Sequence, residues 1–554
     1  NTVTFESESG DSSKVELHYK LNNPTNDFTV KFSGAGYVTF RGISILRSSG
    51  AYSLLSDDQS TNVSVERGVL NGVLLNNSKW VKLLRNRIAI FQWMWAVGVS
   101  ASTNIRLEEN DYSSHLGIRV YNPQNDSIYI KGNRLTWVPH PWGGSGISIE
   151  GSVKDIVQVD SNRIKGFANN GIYVGAVAGS RSKVRFNGVD SVRDAGIVLD
   201  GQAMEATGNR ITNVQAGVGI NVSARGSLVA NNYVHTIGAG ISRGIALYPN
   251  GSTSKVVFNN VNVLGTDILN GRALEVNGGD GYVIKSNIFA NNGGGYASYL
   301  GSNVSTFDIS HNDYYSLKSR IGFYNGKAYD TLTSFASATG KDVQSMNVNP
   351  YYVSDTSLVP THALLEGSAT TIPEVTADIA GVVRSGTPDI GAKEFDLCAN
   401  DAGVNGFWGI SNPAPVGSAP VRVVLQNNGS SALTAATIGW SVNGAVQAPF
   451  SWTGNLASKQ SVVVTLGNYT YAAGGLFKMQ AWTAGANGGA DCKLPNDSCD
   501  VLELGTQLCG IYTIGGVNPD FATFSDAVSV LHTAGVSCPV VFKVRDGVYA
   551  EQIK

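Results

Sequence analysis

The sequence predicts an all-β protein built mostly as a solenoid of short parallel strands, and three observations carry that prediction. Gly is frequent, at 65 of 554 residues, while charged residues make up only 15 %; this balance suits many short strands joined by tight turns and argues against a helical protein. An asparagine closes a strand pattern about every 25 residues through the middle of the chain. Short Gly-led runs that alternate apolar and polar residues recur at the same interval.

The recurring asparagines are Asn86, Asn110, Asn133, Asn162, Asn187, Asn209, Asn232, Asn259, Asn287 and Asn312, in contexts such as "KGNRL", "DSNRI" and "TGNRI". Their successive spacings are 24, 23, 29, 25, 22, 23, 27, 28 and 25. A unit this short cannot bury a face alone and must stack on its neighbours. Each unit holds a strand pattern before the Asn, as in "IVQVD", and a Gly-led one after it: "GIRV" from Gly117, "GISI" from Gly146, "GIYV" from Gly171, "GIVL" from Gly196 and "GIAL" from Gly244. Period-two alternation points Ile172 and Val174 inward and Tyr173 outward. Strand, turn and strand again, without the Leu-x-x-Leu-x-Leu signature, describes one coil of a parallel β-helix. The Asn is expected to take the left-handed φ of a sharp bend and to bond its amide to the coils above and below, forming a stacked ladder.

With these repeats, residues 1–395 resemble the right-handed parallel β-helix, pectate-lyase-like superfamily. The stretch "DIAGVVRSGTPDIGAKEF", residues 378–395, resembles a closing segment of bacterial members. The resemblance implies fold and leaves activity open.

From 396 to 505 the pattern changes to about seven short alternating strands with Trp440, Trp452 and Trp482, which read as an immunoglobulin-like β-sandwich with Trp440 in its core. Residues 506–554 read as a cap helix and first strands: Thr523 and Asp526 form a capping pattern, and Phe524, Ala527, Val528 and Leu531 recur at helical spacing. In the β-helix family such a helix opens a solenoid. The chain therefore reads as one period, in an arbitrary frame, of a tandem array, with residues 1–395 as a β-helix lacking its own cap and 506–554 as the start of the next.

The five cysteines all lie in the last third, with no Cys-x-x-Cys or His spacing for zinc, so no metal or other cofactor is expected and disulfides in an oxidising, extracellular setting are. Cys509 with Cys538 and Cys492 with Cys499 are the expected pairs, leaving Cys398 to compete for a partner. A net charge of −2 and a pI near 6.4 give no nucleic-acid footprint, and no run of 18 apolar residues predicts a membrane span.

Fragments that match enzymes do not assemble into a site. "GVYAE", residues 547–551, matches the Gly-x-Tyr-x-Glu element of pectin methylesterases, and "RIK", residues 163–165, matches a polygalacturonase triplet; the acidic elements of both families lack counterparts here. Asp160 and Arg185 occupy equivalent places in adjacent coils and read as a cross-coil salt bridge. Two rows carry the candidate glycan contacts. Arg87, Arg134 and Arg163, with Asp111 between the first two, follow the ladder Asn in consecutive coils. Trp93, Trp95, Trp137 and Trp142 lie in enlarged loops near His115 and His140, where exposed rings stack on sugars. The leading expectation is a non-enzymatic structural segment of a long extracellular, cell-surface filament or adhesin of the giant secreted Bacteroidota type, touching neighbouring repeats of the same chain and surface glycans. A secreted polysaccharide lyase or hydrolase with an accessory sandwich, and a non-catalytic glycan-binding module, are the alternatives.

Overall fold

The computed structural model describes residues 2–19, 28–47, 52–122, 124–141, 143–151, 153–175, 182–301, 304 and 306–553, without the side chains of 91–93. The chain divides into two compact units, 1–360 with 365–395, and 361–364 with 396–554.

The first unit is a parallel β-helix. Its first sheet stacks 13 strands from Val3–Glu6 to Phe307–Ser310; the second sheet holds the strands that follow the ladder Asn, and the third the Gly-led strands. Register partners share a side-chain type because each coil repeats the same inward face. Ile118, Ile147, Ile172, Ile197, Ile220 and Ile245 are successive partners on the third sheet, and all six are fully buried. Each such burial stabilises by about 1.5–3 kcal/mol. Tyr173, between two of these inward positions, is half-buried and points outward. The leading Gly is needed for close approach: a Cβ on Gly171 or Gly196 would run into Val189 or Ile211 of the next coil.

All ten ladder asparagines are buried, and from Asn110 onward each Oδ1 accepts both the backbone N–H and the Nδ2–H of the Asn one coil earlier, as Asn133 Oδ1 does from Asn110 at 2.9 and 3.1 Å, while Asn86 Oδ1 accepts the Gly68 N–H. Each Nδ2 also donates to a first-sheet carbonyl one coil back, as Asn162 does to Ile130. The bend differs from expectation. The left-handed residue is the one before the Asn, for example Arg85, Glu109, Ser161 and Phe186. The Asn itself must turn its amide into the stack, so the positive φ falls on the residue that makes the corner and faces solvent. Arg185 and Asp160 form the expected cross-coil pair, at 2.8 Å and 3.2 Å.

After the last coil, the helix Leu332–Thr339 is followed by irregular chain that returns along the flank of the solenoid. Its segment 378–395 is fixed by buried polar contacts: Asp378 accepts the N–H groups of Ala380, Val382 and Glu394 and the Lys393 ammonium, and Arg384 reaches Asn231 Oδ1 at 2.7 Å while lying over the Phe258 ring. Leu358, Ile379 and Ala392 pack on Tyr233, and Leu365 and Ile390 on Ile288.

The second unit contains an antiparallel sheet of Ala402–Phe407, Gly417–Asn427 and Ser461–Tyr471, and another of Ala445–Val446, Leu433–Val442, Leu476–Ala486 and Leu502–Gly505, with Phe450–Leu456 on Leu433–Val442. Trp440 is buried in the core they share, its indole N–H donating to Ala448 O at 3.1 Å. The terminal segment forms two parallel strands, Leu508–Ile514 and Val536–Val544, and the helix Phe524–Ala534, whose Thr523 and Asp526 make a reciprocal capping box. Ala527 and Val530 are its buried core contacts; Val528 is half-buried outside that cluster, because a step of three from Ala527 stays on the inner face and a step of one leaves it.

Disulfides join Cys509 to Cys538 and Cys398 to Cys492. The expected Cys492–Cys499 bond is thus corrected: Cys499 is a free thiol buried in the sandwich core, its N–H bonded to Ala481 O, while Cys492 bonds Asn400 through its N–H and so sits beside Cys398. The "GVYAE" element is structural. Glu551 accepts the N–H groups of Phe524 and Ser525 at the start of the helix, and the Tyr549 hydroxyl donates to Arg545 O and Ile514 O.

Candidate functional site

The solenoid surface concentrates polar and aromatic side chains along the third sheet. At the start of its strands, where they leave the turns from the second sheet, Trp137, His140, Asn169, Arg193 and Gln215 line a groove of about 420 Å³. Trp137 ends the strand Arg134–Trp137 and leans on the solenoid core, while its buried indole N–H meets no acceptor among the described residues. The His115 and His140 rings lie 4.7 Å apart, and His115 Nδ1 is 2.8 Å from Val138 O.

At the other end of the same strands lies a second cluster, carried by outward positions of successive coils. Arg119 donates to Glu150 at 2.6 and 3.1 Å and lies over the rings of Trp95 and Tyr121, 5.7 and 5.2 Å from their centroids. Ser148 donates to the other oxygen of Glu150 at 2.8 Å. One coil on, the Tyr173 hydroxyl donates to Asp200 at 3.1 Å. Burial, and then the charge of Asp200, push the Tyr173 phenol up to about 12, so it stays protonated and works as a donor. Strands Ile147–Ile149, Asn170–Val174 and Ala195–Leu199 are consecutive partners, so Glu150 and Asp200 stand two rungs apart, about 9.6 Å at the backbone.

Sequence reasoning located part of this surface. Arg134 shares its strand with Trp137, and Arg87, Asp111, Arg134 and Arg163 are successive register partners with exposed side chains on the second sheet. No ion pair joins Asp111 to its arginine neighbours among the described residues. Trp95 is brought to Arg119 on the third sheet, apart from Trp137. Trp142 and the side chain of Trp93 lie outside the described residues. Asn169, Arg193, Gln215, Glu150, Tyr173 and Asp200 were missed. Aligning the Gly-led segments on their Gly would have exposed Arg119, Ser148 and Tyr173 in one outward column and Tyr121, Glu150 and Asp200 in the next.

A family model described as "Right handed beta helix region" matches residues 71–261. No curated protein matches the chain. Among solved structures, the chain is similar to a tailspike protein of E. coli bacteriophage HK620 in complex with a pentasaccharide, at 10 % identity, 88 % coverage of this chain and 84 % of that one, with a TM-score of 0.34. It is also similar to the enzymatically active domain of tailspike protein 2 of bacteriophage CBA120, at 12 % identity, 91 % and 77 % coverage and a TM-score of 0.28. Against the expectation of a non-enzyme stands the description of the second of these structures as an enzymatically active domain, which is said of that protein. No helix among the described residues is long and apolar enough to cross a membrane.

Proposed function

We propose that the solenoid binds a polysaccharide laid across the outer face of its third sheet, with the Trp137 groove as the anchor. One observation carries this reading: the groove sets a flat aromatic wall beside histidine, amide and guanidinium groups. Sugars offer apolar ring faces and acceptor hydroxyls, and such a lining suits both. The test is calorimetric titration of neutral and acidic bacterial polysaccharides. Trp137→Ala and Arg193→Ala are expected to weaken binding at least tenfold, while Arg185→Lys, on the first sheet, leaves it unchanged. Equal affinity in all three variants would overturn the groove, and no binding by the wild type would overturn the reading.

A second reading, hydrolysis of the bound glycan, draws on two carboxylates, Glu150 and Asp200, carried in one outward column of the third sheet. Inverting glycosidases hold an acid and a base about 6.5–9.5 Å apart, with room for the attacking water between base and sugar. Glu150 and Asp200, two rungs apart with Tyr173 between them, suit that division: one carboxyl protonates the leaving oxygen and the other accepts a proton from water. Asp200→Asn is expected to cut reducing-end release by on the order of a hundredfold or more while the glycan still binds. Two disulfides support an extracellular setting; membership of a longer surface filament is a separate proposal about the parent chain.

A further inference from the structure

The first sheet of the solenoid carries a bare edge. Among the described residues, Val3–Glu6 pairs with Gly36–Arg41 alone. Its Val3 and Phe5 side chains are 53 % and 50 % exposed, although both continue an inward column: Val3 is the register partner of Val38, and the Phe5 ring lies 4.9 Å from that of the buried Phe40. The second unit carries a bare edge of the same kind. Val536–Val544 pairs with Leu508–Ile514 alone among the described residues, and its inward Val540 and Phe542 pack on the cluster that holds Ala527 and Val530 of the helix.

These two edges match in direction, register and charge. In the first sheet the residues at inward positions turn their N–H groups toward the following coil. Ser7 N–H bonds Arg41 O, Gly42 N–H bonds Glu66 O and Arg85 N–H bonds Glu108 O, each two residues after the inward Phe5, Phe40 or Leu83. Because N–H groups alternate sides along a strand, the bare edge of Val3–Glu6 offers those of Thr4 and Glu6; it is the side that takes a preceding coil. In the terminal pair, Arg545 N–H bonds back to Ile514 O. Val541 and Lys543 therefore face back as well, and Val540, Phe542 and Val544 leave their N–H groups on the bare edge, the side that takes a following coil.

Val540-Val541-Phe542-Lys543 has the pattern of Val3-Thr4-Phe5-Glu6 and of its partner Val38-Thr39-Phe40-Arg41. Setting Phe542 on Phe5 extends one inward aromatic column from Tyr512, the register partner of Phe542, to Phe40. The same register sets the exposed Lys543 on Glu6 and continues an outward column in which the sign alternates. Glu6, Arg41 and Glu66 are successive partners there, and Arg41 lies 3.3 Å from each carboxylate. Lys543 has no ion pair among the described residues. A slip of one residue turns Phe542 to solvent, and a slip of two takes it off Phe5.

We propose that a second copy of this chain occupies the bare edge: the terminal strand Val536–Val544 of one copy adds in parallel to Val3–Glu6 of the next. Backbone hydrogen bonds supply the attraction, and the Phe and Lys positions fix the register. The addition also covers Val3 and Phe5. The contact is heterologous, so a pair of chains still carries one edge of each kind and assembly continues head to tail.

The test is sedimentation velocity with light scattering on the full chain, at low salt and over a wide range of concentration. Mass is expected to rise with concentration and to pass that of a dimer. Thr4→Pro removes an N–H from the bare edge and leaves the ladder to Gly36–Arg41 in place; it should abolish association, with an unchanged melting transition as the check on folding. Glu6→Lys alone and Lys543→Glu alone set like charges on one rung and should each weaken association about fivefold. Mixing these two variants restores an opposite pair at every joint, so the mixture should recover the wild-type mass. A wild type that stays monomeric throughout would overturn the proposal. So would full association in Thr4→Pro, or a mixture no heavier than either charge variant alone; if Thr4→Pro does not fold, the mixture decides.

Discussion

Asn162 shows how much of the solenoid rests on one side chain. Its Oδ1 takes two donors of Asn133, at 3.0 and 2.9 Å, and its Nδ2 gives to Ile130 O and Asn187 Oδ1. Truncation removes no large apolar volume yet strands two buried donors and a carbonyl, each costing about 1–3 kcal/mol. Asn162→Ala is therefore expected to destabilise the first unit by about 3–5 kcal/mol, read as a drop in the urea midpoint with little change in slope. Asp342 makes a prediction of opposite character. It is 2 % exposed, accepts from Tyr314 and Ser345 through Oδ1, leaves Oδ2 bare, and burial pushes it up to about 6. The folded state holds its proton more tightly than the unfolded state, so between pH 4 and 6 stability from this group is lost as pH rises. From pH 5 to 7.5 the loss is about 1.4 kcal/mol, and Asp342→Asn should remove that part of the pH dependence; identical wild-type and variant slopes would refute it.

At the scale of elements, the returning segment 378–395 decides which part of the second-sheet surface stays open. The row that begins with Arg87, Arg134 and Arg163 continues through Arg210 and Tyr233 to Asn260 and Ile288, and the segment covers it where the side chains become neutral. Asn260 there gives its amide to Leu358 O and accepts Ala392 N–H. Arg384 is the main fastening: its ion pair with Glu394 is nearly buried, and losing one partner of such a pair costs about 3–5 kcal/mol. Arg384→Ala is expected to release the segment, seen as faster proteolysis around the exposed Val382 and Val383 with the coils intact. The coils were legible in the sequence because the Asn and Gly recur at fixed offsets, and a repeated residue announces a repeated environment. The corner residue was misassigned because Arg85, Ser161 and Phe186 share no side-chain type. Glu150, Tyr173 and Asp200 escaped notice for a related reason: each is an ordinary outward residue in its own coil, and only stacking unites them. Trp137 and Arg134 were visible because aromatic loops stand out singly. The Cys492 partner was misread because proximity in sequence outweighed the burial that sequesters Cys499.

Across the whole molecule the two units rely on different means of holding the chain. Both disulfides lie in the second unit, and Cys398–Cys492 closes a loop with a sequence separation of 94, worth about 4–5 kcal/mol in the chain-entropy view. Mild reduction is expected to lower the melting transition of the second unit and leave that of the first in place; a shift of both would contradict this. The first unit holds itself by contacts between adjacent coils, so its strength grows with the number of coils. The amide stack adds a rule of its own. Every carboxamide in it points the same way, from the hydrogen bond Asn86 accepts from Gly68 to the one Asn312 gives to Ser345, while the chain between successive members varies from 22 to 29 residues. What must be conserved in such an architecture is the phase of the repeat and not its length. Whole turns can be spliced in or out, and their connecting loops rewritten, wherever the cut returns an amide to the same column, which leaves the surface free to change its specificity while the scaffold stays the same.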